Sequence, residues 1–501
     1  MQQPWIEIDK TSKMPLNRQI YEQIQAAIVS GTLRKGDPVP ASRLLAEQLQ
    51  VSRTVVLGAY GQLQAEGYLD MRKGAGTFIA DNAAGEESSL PEPDEETEAE
   101  LIVHAPDFLS LVNSPLSGLV DVTDSAPCDF RHGVPAWDAF PMDRWQKSLM
   151  KACRRATPGT LTYGPAEGLL SLREEIARLV RSTRSIPAVP EQIVITSGAT
   201  QALDILARLC VRGGEQVLVE DPTHPVLREI FSFSGGKVIP VPVDEHGLRA
   251  DRIKESIAKH KGLPERTKLL YITPSHQFPM GVTMSLRRRL ELLNWARDTG
   301  AFIIEDDYDS EYRFVGKKVS ALAGLDTSGK VVYVGSFSKI LFPSLRIGYA
   351  ILPPALIDPF LSVKWITDRM SPTLDQEALA DFIQSGHYAK HIHAMGKLYA
   401  GRRACLVECL KQEFEGRVRY FGDEAGLHLL IELDSPAEEI AIAERSLQYG
   451  AKVYPASHYF SDIRTGRPTF LLGYANLSES QIKLGMKQFA RAERDCVKYP
   501  D

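Results

Sequence analysis

A lysine with hydroxyl neighbours is the residue of this chain that most suggests covalent chemistry. Lys339 follows the apolar run 331–334, and phosphate-binding residue types lie near it at Ser336, Ser338 and Arg346. A lysine amine forms a Schiff base with an aldehyde, while hydroxyl and guanidinium groups bind phosphate. The combination suits an aldehyde cofactor that carries a phosphate. Standing alone, the run would be more typical of a surface lysine beside a turn.

Two further apolar runs end in residues that complete this chemistry. Asp306 ends one run, and its carboxylate can pair with a pyridinium nitrogen and keep the ring electron-withdrawing. Tyr308 can reach the phenolic oxygen of the same ring. Ala199 and Thr200 open a helix after the run 193–196, so their N–H groups can bind the phosphate. Three strand ends that converge on one ring predict a single cofactor site.

The elements that must position these residues alternate between strand and helix patterns from about residue 125 onward. Such alternation is typical of an α/β fold with a mostly parallel sheet covered on both faces. Ligands bind at the carboxyl ends of the strands in such sheets. Five short apolar runs predict the strands, and they are 193–196, 216–219, 269–272, 301–304 and 331–334.

The first eighty residues have a different pattern. Apolar residues recur every fourth residue across 16–28, which predicts a helix between Pro15 and Gly31. Two more helices are expected, with N-caps at Ser42 and Ser52, and two short strands follow. Three helices and a two-stranded wing describe a winged helix-turn-helix, in which the third helix enters the major groove of DNA.

Polar residues of this module are predicted to contact DNA. They are Arg43, Ser52, Arg53, Thr54, Arg72 and Lys73. The members on the third helix can contact bases or phosphates, and those on the wing suit the minor groove or the DNA backbone. A helix-turn-helix pattern alone is weakly specific, so a small protein-interaction domain built from the same helices is the alternative.

Residues 12–80 resemble the GntR family of DNA-binding domains. The resemblance rests on Pro40-Ala-Ser-Arg43, on Leu-Ala-Glu-Gln-Leu-x-Val-Ser-Arg53-Thr and on Gly-Ala-Gly-Thr-Phe. Ala41 stands where a serine is common in that family. The resemblance implies that this module binds double-stranded DNA.

Residues 125–495 resemble fold-type I aminotransferases. The resemblance includes Phe130-Arg-x-Gly-x-Pro, Leu-x-Tyr163-Gly and the run around Lys339. It implies pyridoxal 5'-phosphate as the cofactor, bound covalently to Lys339. The tyrosine of the second motif reaches the phosphate of the partner subunit in that family, so Tyr163 implies a homodimer with shared cofactor sites.

The two parts together resemble the MocR family of regulators, as does the run Thr273-Pro-Ser-His276-Gln-Phe-Pro. His276 could replace the asparagine that usually contacts the phenolic oxygen, and His224 stands where an aromatic ring commonly stacks on the cofactor. The arginine that binds a substrate carboxylate is not identifiable in Phe470-Leu-Leu-Gly-Tyr-Ala. Nearby candidates are Arg131, Arg464 and Arg467.

The composition is that of a globular protein. Of 501 residues, 44% are apolar and 24% charged, which excludes disorder, collagen and coiled coil as the main state. No apolar run approaches the roughly 18 residues of a membrane span. No export signal is visible at the N-terminus, and the scattered cysteines form no C-x-x-C pair. The expectation is a cytoplasmic protein with no membrane partner.

The net charge of −6 is unevenly distributed along the chain. Residues 1–80 have a net charge of +2, residues 81–100 have −9, and the remainder has +1. The acidic segment contains two prolines and little to bury, so residues 81–124 are predicted to form a flexible linker.

Together these features predict a cytoplasmic transcriptional regulator that depends on pyridoxal 5'-phosphate. A small amino compound, or the cofactor itself, would change the linkage at Lys339 and so reposition the DNA-binding heads. The alternative is a working aminotransferase with an accessory DNA-binding module. No metal is expected, because His387, His391 and His393 lack the spacing of a ligand set and predict a polar helix face.

Overall fold

The structure is a computed structural model. It describes residues 6–72, 76–81, 126–211, 213–260, 267–316, 319–461 and 466–499. The chain divides into two compact units, which comprise residues 1–106 and 107–501. Lys73, Arg464 and residues 82–124 of the predicted linker lie outside the described residues. Among the described helices, none is long and apolar enough to cross a membrane.

The first unit has the predicted winged helix-turn-helix architecture. Its helices are α1 (Leu16–Val29), α2 (Ser42–Gln48) and α3 (Arg53–Ala65). Its strands are β1 (Pro38–Val39), β2 (Leu69–Arg72) and β3 (Gly76–Ile79). They form one antiparallel sheet in the order β1-β3-β2, so residues 38–39 between α1 and α2 add a third strand to the two that the sequence predicts.

The helix starts of this unit differ from the prediction by one residue at one place. Ser42 is the first residue of α2 and Ala41 occupies the N-cap, so the prediction of Ser42 as N-cap was wrong. Ser52 does occupy the N-cap of α3, although its side chain makes no capping hydrogen bond. An extended residue precedes each helix, Ala41 before α2 and Ser52 before α3. Ser52 therefore ends the turn between the two helices.

The core of the first unit is its own. Ile20 and Ile24 of α1 pack against Val56 and Leu63 of α3, and all four are fully buried. The hydroxyl of Tyr60 donates a hydrogen bond to the carbonyl of Pro40 at 2.7 Å, which ties α3 to the segment before α2. Apolar packing therefore fixes the orientation of α3, whose first turn remains exposed.

The second unit is built on an eight-stranded sheet in the order β5-β12-β11-β10-β9-β6-β7-β8. A short strand, β4 (Cys128–Asp129), precedes it in the chain. The strands of the sheet are β5 (Ile193–Thr196), β6 (Gln216–Asp221), β7 (Lys237–Asp244), β8 (Gly247–Leu248), β9 (Thr267–Ile272), β10 (Phe302–Asp307), β11 (Val331–Ser336) and β12 (Gly348–Ile351). All five predicted strands are present. The central pairs β7-β6-β9-β10-β11 are parallel, and β12 and β8 are antiparallel to their neighbours.

Helices and a smaller sheet complete this unit. The helices are α4 (Met142–Arg155), α5 (Leu170–Arg184), α6 (Ala199–Cys210), α7 (Pro225–Phe233), α8 (Ile253–Lys259), α9 (Leu286–Thr299), α10 (Pro354–Thr367), α11 (Thr373–Gln384), α12 (His387–Phe414), α13 (Glu439–Gln448) and α14 (Glu479–Lys498). The remaining strands are β13 (Val418–Phe421), β14 (His428–Leu433), β15 (Ala451–Lys452), β16 (Tyr454–Pro455) and β17 (Thr469–Gly473). Strands β13-β14-β17-β16 form an antiparallel sheet, and β15 pairs with β4.

Both faces of the large sheet are covered by helices. On one face Val334 packs in a cluster with Leu206 of α6 and Phe360 of α10. On the other, Ile303 packs in a cluster that includes Leu292 of α9. Because both faces are buried, ligands can reach the parallel strands only at their ends.

Gly473 allows the segment at residues 131–132 to pass close to β17. Its N–H donates to the carbonyl of Phe130 at 2.8 Å, and a Cβ built at this position would lie 2.2 Å from the carbonyl oxygen of Arg131. Any side chain at residue 473 would therefore displace the segment that leads to residues 132 and 133.

Gly473→Ala is expected to reduce the free energy of unfolding of the second unit by about 1–3 kcal/mol, because the new methyl group overlaps backbone atoms. Thermal unfolding measures the change. Gly396→Ala in α12 is the control: its Cβ meets no described atom within 4 Å outside its own helix, so we expect stabilisation by up to about 1 kcal/mol. An unchanged melting temperature for Gly473→Ala would contradict the close approach.

Candidate cofactor site and DNA-binding surface

A cavity of about 310 Å³ lies at the carboxyl ends of the parallel strands. It contains nine of the residues predicted for the cofactor site, although they come from five separate segments of the chain. These are Ala199, Thr200, His224, Asp306, Tyr308, Ser336, Ser338, Lys339 and Arg346. The fold thus brings together the residues that the sequence assigned to one ring and one phosphate.

Lys339 lies just beyond the end of β11, with its Nζ atom next to Gly133. Burial lowers the pKa of its amine, and the negative charge of Asp309 opposes that shift. Gly133 has a φ of 70°, and a Cβ there would lie 2.5 Å from Nζ. A glycine is therefore required at this position by both conformation and space.

Asp306 has one oxygen bound and one oxygen free. Its Oδ2 accepts a hydrogen bond from the hydroxyl of Tyr271 at 2.8 Å, whereas Oδ1 is buried with no partner among the described residues. Burial raises the pKa of Asp306 to about 7, against the effect of the Tyr271 hydrogen bond. A cationic ring nitrogen would give Oδ1 the partner it lacks, so this carboxylate fits the predicted role.

A second set of polar groups suits a phosphate. Helix α6 begins after Gly198, where a Cβ would lie 2.8 Å from Nη2 of Arg346. That Nη2 donates to the carbonyl of Ser197 at 2.9 Å. The hydroxyl of Ser338 is buried without a partner among the described residues. A helix N-terminus, a guanidinium group and a free hydroxyl form a phosphate-binding arrangement.

His276 lies behind Tyr308 and does not line the cavity. Its Nδ1 atom is 3.0 Å from the hydroxyl of Tyr308 and 3.0 Å from Oδ1 of Asp309. His276 and Asp309 are both buried. His276 is therefore separated from the cavity by Tyr308, and its contact with the cofactor stays a prediction.

The residues predicted for the cofactor site do not include Asp309, His132, Phe278 or His428, all of which line the cavity. Asp309 follows Tyr308 by one residue, and this adjacency was the available clue. The other three come from loops and from β14, whose approach to the large sheet depends on tertiary packing.

Tyr163 is not part of the cavity within this chain. Its side chain is 70% exposed, and the guanidinium group of Arg369 lies 5.0 Å from the centre of its ring. Exposure of this kind leaves Tyr163 available to another subunit, and its role remains a prediction.

Of the candidate carboxylate-binding arginines, Arg131 and Arg467 do not line the cavity. Arg131 Nε donates to the hydroxyl of Tyr454 at 3.1 Å and lies 3.4 Å from a carboxylate oxygen of Asp129. Arg467 lies 3.5 Å from a carboxylate oxygen of Asp434. Arg464 falls outside the described residues.

Two groups of histidines were considered as possible metal ligands: the one on α12 that includes His391, and a buried one that includes His276. His391 is buried, with its Nε2 atom 3.0 Å from the carbonyl of Ile340, so it does not belong to a polar helix face. Within the described ranges, His276, Asp309 and His428 have ligand atoms within 4.8 Å of one another. His276 Nδ1 is the atom that already contacts Asp309 and Tyr308.

Five of the six residues predicted to contact DNA are described by the structure, and all five lie on the surface of the first unit. The sixth, Lys73, lies outside the described residues. Arg53 and Thr54 are exposed in the first turn of α3, and Arg53 Nε lies 3.4 Å from the hydroxyl of Ser42. Arg72 lies over the ring of Phe78 at 5.2 Å. Ser52 and Arg43 are exposed as well.

Comparison with known proteins agrees with both parts of this arrangement. Residues 16–79 match the gntR family of bacterial regulatory proteins, and residues 132–485 match aminotransferase class I and II. The chain is 36% identical over 486 residues to the uncharacterized HTH-type transcriptional regulator YhdI of Bacillus subtilis, with 97% of each chain covered. It is 34% identical over 490 residues to the probable rhizopine catabolism regulatory protein MocR of Rhizobium meliloti, covering 97% of this chain and 95% of that protein.

The chain belongs to the MocR family of transcriptional regulators. A further MocR-type relative is the pyridoxine biosynthesis regulator PdxR of Corynebacterium glutamicum, 32% identical with 95% of each chain covered. In this family the GntR domain binds DNA. The second part of a MocR protein belongs to the fold-type I aminotransferase family, whose enzymes depend on pyridoxal 5'-phosphate.

Solved aminotransferases show the same fold as the second unit of this MocR protein. The multiple substrate aminotransferase of Thermococcus profundus is 28% identical with a TM-score of 0.69, covering 76% of this chain and 94% of that one. The α-aminoadipate aminotransferase LysN of Thermus thermophilus is 27% identical with a TM-score of 0.67, covering 74% and 93%.

Asp309→Asn is expected to lower the pKa of Lys339 further, because the carboxylate favours the charged ammonium form. In the cofactor-free protein, the rate of reductive methylation by formaldehyde rises with the uncharged fraction of this amine. The pH profile of methylation at Lys339, measured by peptide mass spectrometry, should therefore move to lower pH. Asp358→Asn, on the exposed side of α10, should leave the profile unchanged. An unshifted profile for Asp309→Asn would show that its charge does not act on the amine.

Proposed function

We propose that this chain is a cytoplasmic transcriptional regulator that binds pyridoxal 5'-phosphate and senses an amino compound or the cofactor itself. The observation that carries the proposal is a set of unsatisfied groups facing one cavity. Asp306 Oδ1 and the hydroxyl of Ser338 are buried without partners among the described residues, and the amine of Lys339 lies beside them. Buried polar atoms normally have partners, so a bound ligand is the natural way to satisfy these.

Each residue has a role that follows from its surroundings. Lys339 supplies the amine that holds the aldehyde carbon, and burial keeps more of that amine uncharged at neutral pH. Asp306 holds the proton on the ring nitrogen. Tyr308, supported by His276, binds the phenolic oxygen, and His224 covers the ring. The phosphate is bound by Ala199, Thr200, Ser336, Ser338 and Arg346, joined by Tyr163 of a second subunit.

When bound, pyridoxal 5'-phosphate supplies an aldehyde that amines can exchange on and a ring that withdraws electrons. The chain supplies the orientation and excludes water. Tyr271 fixes Asp306 through a 2.8 Å hydrogen bond, so the free oxygen of the carboxylate has one direction in which to bind. Asp306 would therefore hold the ring nitrogen from one fixed direction.

The domain boundaries proposed for this function follow the charge and the folding units. A DNA-binding domain over residues 12–80 and an aminotransferase-like domain over 125–495 are joined by an acidic linker over 81–124. The linker carries nine acidic residues and no basic residue between positions 81 and 100.

A homodimer with shared cofactor sites is part of the proposal. Tyr163 is exposed, as are Leu161, two residues before it, and Trp365, which shares its contact with Arg369. Arg369 contacts the rings of both Tyr163 and Trp365, at 5.0 and 5.7 Å. An apolar surface of this kind is typical of a subunit contact, and it includes the residue expected to reach the partner's phosphate.

Effector binding acts on DNA binding through a population shift. To shift that population, the effector must bind more tightly to one placement of the DNA-binding heads than to another. Two heads in a dimer would read two half-sites whose separation the larger domains set.

The second candidate function is that of a working aminotransferase. The complete set of Lys339, Asp306 and Tyr308 in one cavity favours it. Steady turnover of an amino acid and a keto acid would support the enzyme. Retention of DNA that depends on the cofactor, without steady turnover, would support the regulator.

Arg53→Ala is expected to weaken specific DNA binding by about 1–3 kcal/mol and to relax the preference for one base. Arg72→Ala, as a backbone contact, should weaken binding to all sequences alike and reduce the salt dependence. Dissociation constants on specific and random duplexes at several salt concentrations separate the two effects. Arg494→Ala, exposed in the second unit, is the control. Unchanged binding by both test variants would place the DNA-reading surface elsewhere.

Reduction of the purified protein with borohydride should fix the cofactor on Lys339, since an imine is reducible and a bound free aldehyde leaves no adduct on lysine. Peptide mapping locates the adduct. Lys339→Ala should lose it, retain basal DNA binding because the first unit has its own core, and fail to respond to the effector.

The same variant separates two versions of the proposal. An adduct on another residue, or none, would refute covalent binding at Lys339. A normal effector response by Lys339→Ala would show that the linkage at Lys339 is not the switch and that the cofactor is structural.

A further inference from the structure

One part of the cavity wall is made of aromatic rings that contact one another. Phe278 is at its centre, with its ring centroid 5.6 Å from His132, 5.4 Å from His224 and 5.4 Å from His428. All four residues line the cavity, and we refer to them as the ring wall. None of the four is among the groups assigned to the phosphate.

The ring wall carries no positive charge at neutral pH. Burial lowers the pKa of His224 to about 4 and that of His428 to about 3, and it lowers the pKa of His132 well below the usual value. Neutral imidazoles present a ring face and weak polarity to a ligand. The ring wall therefore resembles an apolar surface more than an anion-binding one.

The other charges that face the cavity are already accounted for or have the wrong sign. Among the lining residues, the cations are Lys339 and Arg346, which hold the aldehyde and the phosphate in the proposed function. The remaining charged groups on the wall are Asp306 and Asp309, and both are acidic. Among the described residues that line the cavity, a carboxylate on the ligand would leave water and meet no unassigned cation.

The side chains behind the ring wall are apolar too. Phe278 packs in one cluster with Tyr459, Leu471 and Leu430, of which Leu471 and Leu430 are fully buried. Leu471 lies in the segment where a carboxylate-binding arginine was sought. The nearby Arg228 of α7 donates to the carbonyl of Tyr459 at 2.7 Å and lies 3.4 Å from Asp221.

We propose that the effector of this site is a primary amine with an aromatic or apolar body and no carboxylate. The inference rests on the proposed function, because the effector's amine would replace the Lys339 amine on the aldehyde carbon. One carbon–nitrogen linkage would form as the other breaks, the Lys339 amine would be released, and no oxidant or reductant is needed. The effector's body then contacts Phe278 and the neighbouring imidazoles, whose ring faces favour another ring. An amino acid of the same shape pays the desolvation of its carboxylate without gaining a partner.

The test compares phenethylamine with phenylalanine, which differ only in the carboxylate. Each is titrated into the full-length, cofactor-loaded protein, and two readouts are taken: the absorbance of the cofactor and the fraction of DNA retained. We expect phenethylamine to act at a concentration lower by about tenfold or more. Butylamine against norvaline provides a second pair with an aliphatic body.

A variant tests the ring wall independently. Phe278→Ala should weaken the response to phenethylamine by about tenfold, since ring contact is lost, while the response to methylamine changes little. Phe233→Ala is the matched control, because that side chain is half exposed at the end of α7 and does not line the cavity. If Phe278→Ala does not fold, the comparison of each amine with its amino acid tests the proposal by itself.

The outcomes separate this inference from the proposed function. Absence of a cofactor adduct on Lys339 after borohydride refutes the proposed function and this inference with it. With the adduct present, a response to phenylalanine at equal or lower concentration overturns only the inference. A loaded protein that responds to neither member of each pair also overturns it, since the signal is then not an amine of this class.

Discussion

The parallel pairing of β10 with β9 and β11 is the constraint on which the candidate site depends. In register, Asp306 lies beside Val334 of β11, and Ile304 lies beside Tyr271 of β9. The pairing places a carboxylate, its tyrosine partner and the start of the lysine loop at one edge of the sheet. A shift of one residue would turn each side chain to the opposite face and separate the three groups.

Three consecutive carboxylates on β10 show how this constraint divides structural from functional roles. Alternation sends Glu305 and Asp307 to the face opposite Asp306. Glu305 accepts hydrogen bonds from the N–H groups of Leu322 and Ala323, and Asp307 lies 2.6 Å from Arg184. These two carboxylates are satisfied by the protein. Asp306 alone keeps a buried oxygen without a partner among the described residues.

The site residues that directly follow strands of the large sheet could be predicted from the sequence. Those that reach the cavity from loops or from the second sheet could not. Lys339, Asp306 and Thr200 each follow an apolar run, so the rule for parallel sheets placed them together. His132, Phe278 and His428 reach the cavity through loops and a second sheet, and their approach depends on contacts such as that between Gly473 and Arg131. The N-cap of α2 was misplaced by one residue because both Ala41 and Ser42 precede the same apolar pattern.

Under the proposed function, the free oxygen of Asp306 links the supply of cofactor to the stability of the protein. Its pKa is raised from 3.8 to about 7, chiefly by burial, so the folded chain holds a proton there that the unfolded chain releases above pH 3.8. In the empty protein, this carboxylate therefore contributes less and less to stability as pH rises from about 4 to about 7, and the full cost is present above that window. A ligand that presents a cation to Oδ1 removes this cost of burying the charged carboxylate. Because the ligand binds only the folded chain, its binding raises the free energy of unfolding. Under the proposed function, the amount of folded regulator would therefore rise with the supply of cofactor.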